Sequence, residues 1–232
     1  MRLQAFLARS GASPSRRKAE ALITAGRVTI NGATATLGES VNQTDTVTLD
    51  GEPVALPETL VYLAFNKPSG YLTTLTDDRG RPTVAELMPQ NVPGLVPVGR
   101  LDVDTHGLLI LTNDGKLAHR ISHPSTEIEK QYRLTIRNPL LDSALEALAA
   151  GPTLEDGKMQ PPKLENQQTK LRHTTLDLTI HEGRNRIIRR ACHAVGIHLL
   201  SLQRIRVGSI LLDNLPEEET RPLTSDEIRK LS

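Results

Sequence analysis

Apolar positions at the start of the chain recur at helical spacing and then switch to alternation. Leu3, Phe6 and Leu7 lie three and four residues apart, and Gly11 stands where that helix should stop. SPSRRKAEALITAG predicts a second helix with Ala19, Leu22 and Ile23 on its inward face and Gly26 at its end. RVTINGATA then reads as a hairpin turning on Asn31-Gly32, a pair suited to a type I′ turn. DTVTLDG supplies another strand. This helix–helix–hairpin unit is expected to close near Gly51, giving a small domain over 1–50. The two prolines of the segment that follows mark 51–59 as a linker.

A larger domain is expected over 60–232. Strand-like runs are LVYLAFNK, GLVPV, GLLILT, KQYRLTI, HTTLDLTI and IHLLSLQRIRVG. Helical spacing appears in DGKLAHRIS, LDSALEALAAG and RNRIIRRACHAVG. TSDEIRKL adds a last helix, opened by a capping box of Thr224 and Glu227. Strands dominate and do not alternate regularly with helices. The fold class is therefore α+β, a mostly antiparallel sheet with flanking helices behind the small first domain.

Composition narrows this picture. Apolar residues make up 38% and charged residues 24%, as in a soluble globular protein. Aromatics are only 2%, so the core must be built from aliphatic side chains, and an aromatic in a polar setting stands out. The single cysteine, Cys192, excludes a disulfide framework and points to a reducing, cytoplasmic setting. The opening MRLQAFLARSG is too short and interrupted for a signal peptide, and no apolar run is long enough to span a membrane. Net charge is +1, yet residues 1–32 and 181–206 each hold six Lys/Arg against one acid. Two basic regions on a near-neutral chain suggest a polyanion partner; the plain alternative is a pair of solvated helix faces.

Four stretches carry candidate chemistry. In GRLDVDTHGLLILTNDG, Arg100, Asp102 and Asp104 precede a buried strand. Residues i and i+2 of an extended chain share a face, so two carboxylates there would suit glycoside hydrolysis; a solvated turn is the plain reading. FNKPSGYLTT, with Lys67, is by itself a weak and mostly structural signal. EKQYRLTI puts Tyr132 among cations on a strand, suited to stacking on a base as well as to partial burial. HEGRNRIIRRACHAVG places Arg184, Arg186, Arg189 and Arg190 at a helix start, where cations oppose the macrodipole and call for an anion. No CxxC pair, GxGxxG or GxxxxGKS occurs, so neither a metal nor a cofactor is expected.

Two resemblances draw these stretches together. RLQAFLARSGASPSRRKAEALITAGRVTINGATA resembles the S4 RNA-binding domain, through its leading Arg-Leu, its Ser-Arg-Arg helix start and its Gly-Arg-Val…Asn-Gly hairpin. Residues 60–232 resemble a pseudouridine synthase of the RsuA/RluB/RluE/RluF type. The match is carried by NKPSGY, VGRLDVDTHGLLILTNDGKLAHRISHP, EKQY and EGRNRIIRR in order. The chain departs from that pattern at Ile187, where the family usually has a polar residue, and at Ala191, often Met.

The resemblance implies isomerisation of a uridine within RNA: the N1–C1′ bond breaks, uracil turns over, and C5 bonds to C1′. No cofactor is needed. It implies Asp102 as the essential carboxylate, acting on sugar, base or the 2′ proton. It further implies Tyr132 stacking on the flipped uracil and Arg189 pairing with Asp102. Arg100, Lys67, Arg184 and Arg186 are implied to hold RNA near the site, and Arg2, Arg16, Arg17, Lys18 and Arg27 to hold it on the S4 unit. Large-subunit (23S) ribosomal RNA is the preferred substrate, ahead of 16S or tRNA, and a monomer is the default. The alternative from another class is a non-catalytic RNA-binding or assembly factor, for which Asp102 would be dispensable.

Overall fold

The computed structural model describes residues 1–123 and 126–231. In the first unit, α1 (Leu3–Arg9) and α2 (Arg16–Thr24) bury Leu3, Leu7, Ala19 and Ile23 against β1 (Val28–Ile30) and β3 (Val47–Leu49), with the exposed β2 (Ala33–Thr34) paired to β1. Ser15 caps α2, accepting from the Lys18 amide. Asn31 and Gly32 both take positive φ, +52° and +83°, which a type I′ turn requires. One expectation shifts. β4 (Glu52–Val54) pairs with β3, completing the order β2-β1-β3-β4, so the segment read as a linker begins as sheet. Pro53 is tolerated there because β4 is an edge.

The second unit is built on one nine-stranded sheet. Its members are β5 (Tyr62–Lys67), β6 (Val96–Val98), β7 (His106–Thr112), β8 (Lys130–Arg137), β11 (Lys163–Thr169), β12 (His173–Ile180), β13 (Leu199–Val207), β14 (Ile210–Leu211) and β15 (Thr220–Pro222). The order is β11-β12-β8-β13-β7-β5-β15, with β14 beside β13 and β6 beside β7. Every pairing is antiparallel except β13 with β7. A two-stranded ribbon, β9 (Thr153–Leu154) with β10 (Gly157–Lys158), stands apart. The helices are α3 (Gly115–Ser122), α4 (Asp142–Ala149), α5 (Ile187–Ala194) and α6 (Ser225–Leu231).

The unbroken apolar run of β7 has a direct cause. Leu108 and Ile110 point to a cluster with α3 and α6, while Leu109 and Leu111 point to another with Phe65, Val84 and Met88. A strand covered on both faces has no polar side to show. Helix α5 covers the far half of the sheet through Ile187, Ile188, Ala191 and Cys192. At Ile187 the family's polar position is therefore a core position in this chain. The capping box at α6 forms as expected, Thr224 and Glu227 each donating a backbone amide to the other's side chain. Among the described residues no helix is long and apolar enough to cross a membrane.

Candidate active site

The loop between β6 and β7 holds Arg100, Asp102 and Asp104, and the FNKPSGYLTT stretch fixes its shape. Thr73 Oγ1 donates to the Leu101 carbonyl at 2.7 Å and accepts from the Leu101 amide at 3.2 Å. The Gly70 amide donates to the Val103 carbonyl at 2.7 Å. Lys67 Nζ donates to the carbonyls of Pro68, Asp102 and Thr105 at 2.9, 3.4 and 3.0 Å. Buried Leu101 anchors the loop, and the backbone around Asp102 is held by three residues of one stretch, Lys67, Gly70 and Thr73. The weak motif of the sequence is thus the cradle of the strong one.

Lys67 itself corrects an expectation. Implied to hold RNA, it has no exposed surface. Burial pushes its ammonium down from 10.5 to about 8, against the pull of the Asp104 and Asp102 carboxylates and with help from Arg204. The unfolded chain keeps this proton to its ordinary value, the folded chain only to about 8. Stability from this group therefore rises between pH 8 and 10.5, by about 3 kcal/mol at most. Urea unfolding of wild type against Lys67→Met, across that range, should show the wild type gaining on the variant. A constant difference contradicts the buried charge.

The acids and arginines do not pair as expected. Arg189, implied to hold Asp102, instead binds Asp104: its NH2 donates to the Asp104 carbonyl at 2.7 Å, and its Nε lies 3.3 Å from Asp104 Oδ1. Arg186 closes a bidentate pair on the same carboxylate at 3.1 and 3.0 Å. Among the described residues the cation paired with the Asp102 carboxylate is also Arg186, at 3.8 Å from Oδ2. Burial pushes the Asp104 carboxyl up, but the Arg186 hydrogen bonds and the Arg189 and Arg186 charges outweigh it, leaving it below the usual range. Asp104 is more than a turn residue, because it fixes two guanidiniums beside a largely unengaged Asp102.

Helix α5 begins later than expected. Arg184 and Arg186 precede it, and Arg186 is the N-cap in the left-handed region, φ +48°. Such a conformation costs a non-glycine residue about 1 kcal/mol or more and persists where surroundings over-determine it. The Asp104 pair does that. Removing its charge by Asp104→Asn should release Arg186, leave Arg189 held only by the Asp104 carbonyl and Thr105 Oγ1, and lower the single-turnover rate about tenfold through misplacement. RNA affinity should not weaken, since the change removes negative charge near a polyanion path. A rate within twofold of wild type would contradict the fixing role.

Asp102, Tyr132 and Arg189 line one cavity of about 410 Å³, with Arg100, Arg184 and Arg186 around them. This is within the usual range for small-ligand pockets. Tyr132 lies on β8 and packs partly against two core clusters, which holds its ring in place. Two further cations line the cavity that the sequence reading did not single out as functional, Lys130 and Arg204. Arg204, on β13, sits opposite Tyr132 of β8, is 5% exposed, and donates from Nε to the Leu108 carbonyl at 2.7 Å. Burial, then Arg204, pushes the Lys130 ammonium down. Strand-borne cations amid apolar neighbours were the available signal.

The remaining basic residues divide. Arg100 is exposed on the cavity rim with no acidic partner among the described residues. Arg184, implied to hold RNA, is tied to Glu182, Asp156 and the carbonyls of Asp156, Gly157 and Lys158. Arg190 joins the same Asp156. On the first unit, Arg16, Arg17 and Lys18 project from α2 into solvent, but Arg27 is bound to Asp50 and Arg2 donates to the Gly38 carbonyl. Cys192 is fully buried, and burial pushes its thiol up to about 12, an inert position.

Comparison with known proteins adds to this geometry. Residues 61–194 match the family model described as RNA pseudouridylate synthase, and residues 1–47 match the S4 domain. The chain is 39% identical over 234 residues to "Ribosomal large subunit pseudouridine synthase B" of Bacillus subtilis, covering 99% of this chain and 95% of that one. It is 42% identical over 236 residues to an "Uncharacterized RNA pseudouridine synthase" of Mycobacterium tuberculosis, covering 100% and 92%. A solved structure titled "Crystal structure of pseudouridylate synthase" matches with a TM-score of 0.70 at 35% identity over the whole of both chains.

Proposed function

The chain belongs to the RNA pseudouridylate synthase family, with an S4 domain ahead of the catalytic unit, and on that premise we propose that it converts a specific uridine of large-subunit ribosomal RNA to pseudouridine. The observation that carries the reading is the cavity that gathers Asp102, Tyr132 and Arg189 from three distant parts of the chain. The match to "Ribosomal large subunit pseudouridine synthase B" supports 23S over 16S ribosomal RNA. A reducing cytoplasm, where ribosomal RNA is assembled, is the compartment this reading requires, and a monomer suffices for it.

Chemistry at a base inside RNA requires the nucleotide to leave its stack. In this proposal the S4 domain anchors the RNA, Arg100 at the rim takes the space or phosphate next to the extruded uridine, and the ring enters against Tyr132. Asp102, held by its backbone and not engaged bidentately, attacks sugar or base or takes the 2′ proton. As the N1–C1′ bond breaks, the uracil takes the bonding electrons. Lys130 and Arg204 stand on the cavity wall as preorganised positive charge for that stage. The ring turns, C5 bonds to C1′, C5 loses its proton and N1 gains one, so the product is an isomer. Tyr132 is placed to assist the C5 proton's departure.

Pseudouridine mapping of ribosomal RNA from a strain lacking this protein, against its parent, tests the substrate. One large-subunit position should revert to uridine. Loss at a small-subunit or tRNA position instead would reassign the substrate.

A further inference from the structure

We propose that the outward face of α3 carries the phosphate backbone of the substrate RNA between the S4 domain and the cavity; this rests on the RNA-modifying reading above. Helix α3 buries Leu117 and Ile121 and turns Lys116, His119 and Arg120 outward, all exposed. Lys116 and Arg120 are one turn apart, so they share that face. Neither side chain has a hydrogen bond or ion pair among the described residues. They share this with Arg100 at the cavity rim and with exposed cations such as Lys170 and Arg172, whereas Arg81, Arg133, Arg184, Arg190, Arg206 and Arg221 each grip a carboxylate; what distinguishes Lys116 and Arg120 is their place.

The helix also joins the two places an RNA must reach. At its first residue, a Cβ built on Gly115 would lie 3.7 Å from Arg9 Cδ of the S4 unit. Among the described residues Arg9 has no acidic partner: its Nε is buried without a hydrogen bond, and NH1 meets Met1 Sδ at 3.9 Å. At the other end, Ile121 and Ser122 line the cavity whose rim holds Arg100. Arg9, Lys116, Arg120 and Arg100 thus form a chain of cations with unspent charge. The nearest acid on this helix, Asp114, is engaged as the N-cap of α3 and as acceptor for the Tyr62 hydroxyl at 3.0 Å. Eight helical residues rise about 12 Å, long enough for the helix to present its two cations to neighbouring phosphates of one strand. Neighbouring like charges repel in the free protein, and a polyanion removes that cost. Continuity with the S4 domain on one side and the cavity on the other identifies the occupant as substrate RNA.

The test is Lys116→Gln with Arg120→Gln, in the full chain, binding a fragment of large-subunit ribosomal RNA at increasing salt. Each lost phosphate contact should reduce the slope of log affinity against log salt by about 0.7–0.9. The double variant should therefore lose about 1.5 in slope and bind about thirtyfold more weakly near 0.1 M salt. Lys170→Gln with Arg172→Gln, the same charge change at the exposed β11–β12 turn, should keep the wild-type slope. A wild-type slope in the α3 variant, or equal losses in both variants, overturns the α3 path. Pseudouridine formation by the wild type is read on the same fragment. Its absence would overturn the RNA-modifying reading itself, whereas an unchanged slope with turnover intact removes only the path along α3.

Discussion

Asp102→Asn should stop turnover while leaving the fold and RNA binding in place. The carboxylate is 30% exposed, faces the cavity, and carries no side-chain hydrogen bond among the described residues. Its backbone does the structural work, through the carbonyl that accepts from Lys67 and from the Thr105 amide at 3.1 Å. An amide of the same shape keeps those contacts. Thermal unfolding should therefore move by no more than about 0.5 kcal/mol, as for a substitution outside the core. The amide can neither act as a nucleophile nor take a proton, so kcat should fall by at least about 10³-fold, a barrier increase of about 4 kcal/mol. Rate and melting temperature measured on one preparation check both halves. A slow variant that is also unstable would point to a structural Asp102.

Gly107→Ala should strongly destabilise the catalytic unit. Gly107 has φ +102° and sits where β7 pairs with β13, opposite Arg204. A Cβ there would fall 2.4 Å from the Arg204 carbonyl oxygen and 2.8 Å from its amide nitrogen. Backbone strain of about 1–3 kcal/mol adds to the cost of parting the sheet's parallel junction, for a total of roughly 4 kcal/mol. In a chain of this size that lowers Tm by about 8–16 °C. Gly70→Ala is the comparison: φ is +96° but the added methyl meets nothing within 4 Å, so only the backbone cost applies. If both variants melt together, close packing at Gly107 is not what holds the junction.

The elements legible in the sequence are those whose physics is local. The Asn31-Gly32 turn, the Ser15 cap and the Thr224–Glu227 box depend on residues within a few positions of one another, and each forms. The strand β12 matches its predicted span because alternation and β-branching coincide there. Strands on sheet edges escaped. KLENQQT, which forms β11, has only Leu164 to pack inward, and β15 contains a proline; neither bears a pattern until a neighbour supplies hydrogen bonds. The same holds for β4, recruited from the segment read as a linker.

At the site, residue types were legible and pairings were not. Arg189 and Asp102 were drawn together by resemblance, but two acids two residues apart offer the same charge. The loop's path decides which one a helix reaches. Three carbonyls gripped by Lys67, together with the Thr73 and Gly70 contacts, bend 98–105 so that Asp104 meets Arg186 and Arg189. The buried place of Lys67 and the presence of Arg204 at the site were hidden for a related reason. A buried cation is satisfied by backbone oxygens, and backbone oxygens have no sequence signature.

Tritium release from large-subunit ribosomal RNA labelled at C5 of uridine bears most directly on the central claim, because the proposed isomerisation exchanges that proton and simple RNA binding does not. Wild-type protein should release tritium up to about one equivalent per RNA molecule, the limit for a single-site isomerase, and the Asp102→Asn protein, binding the same RNA, should release none above background. Release that the two proteins share, or none from the wild type while it binds the RNA, would contradict it.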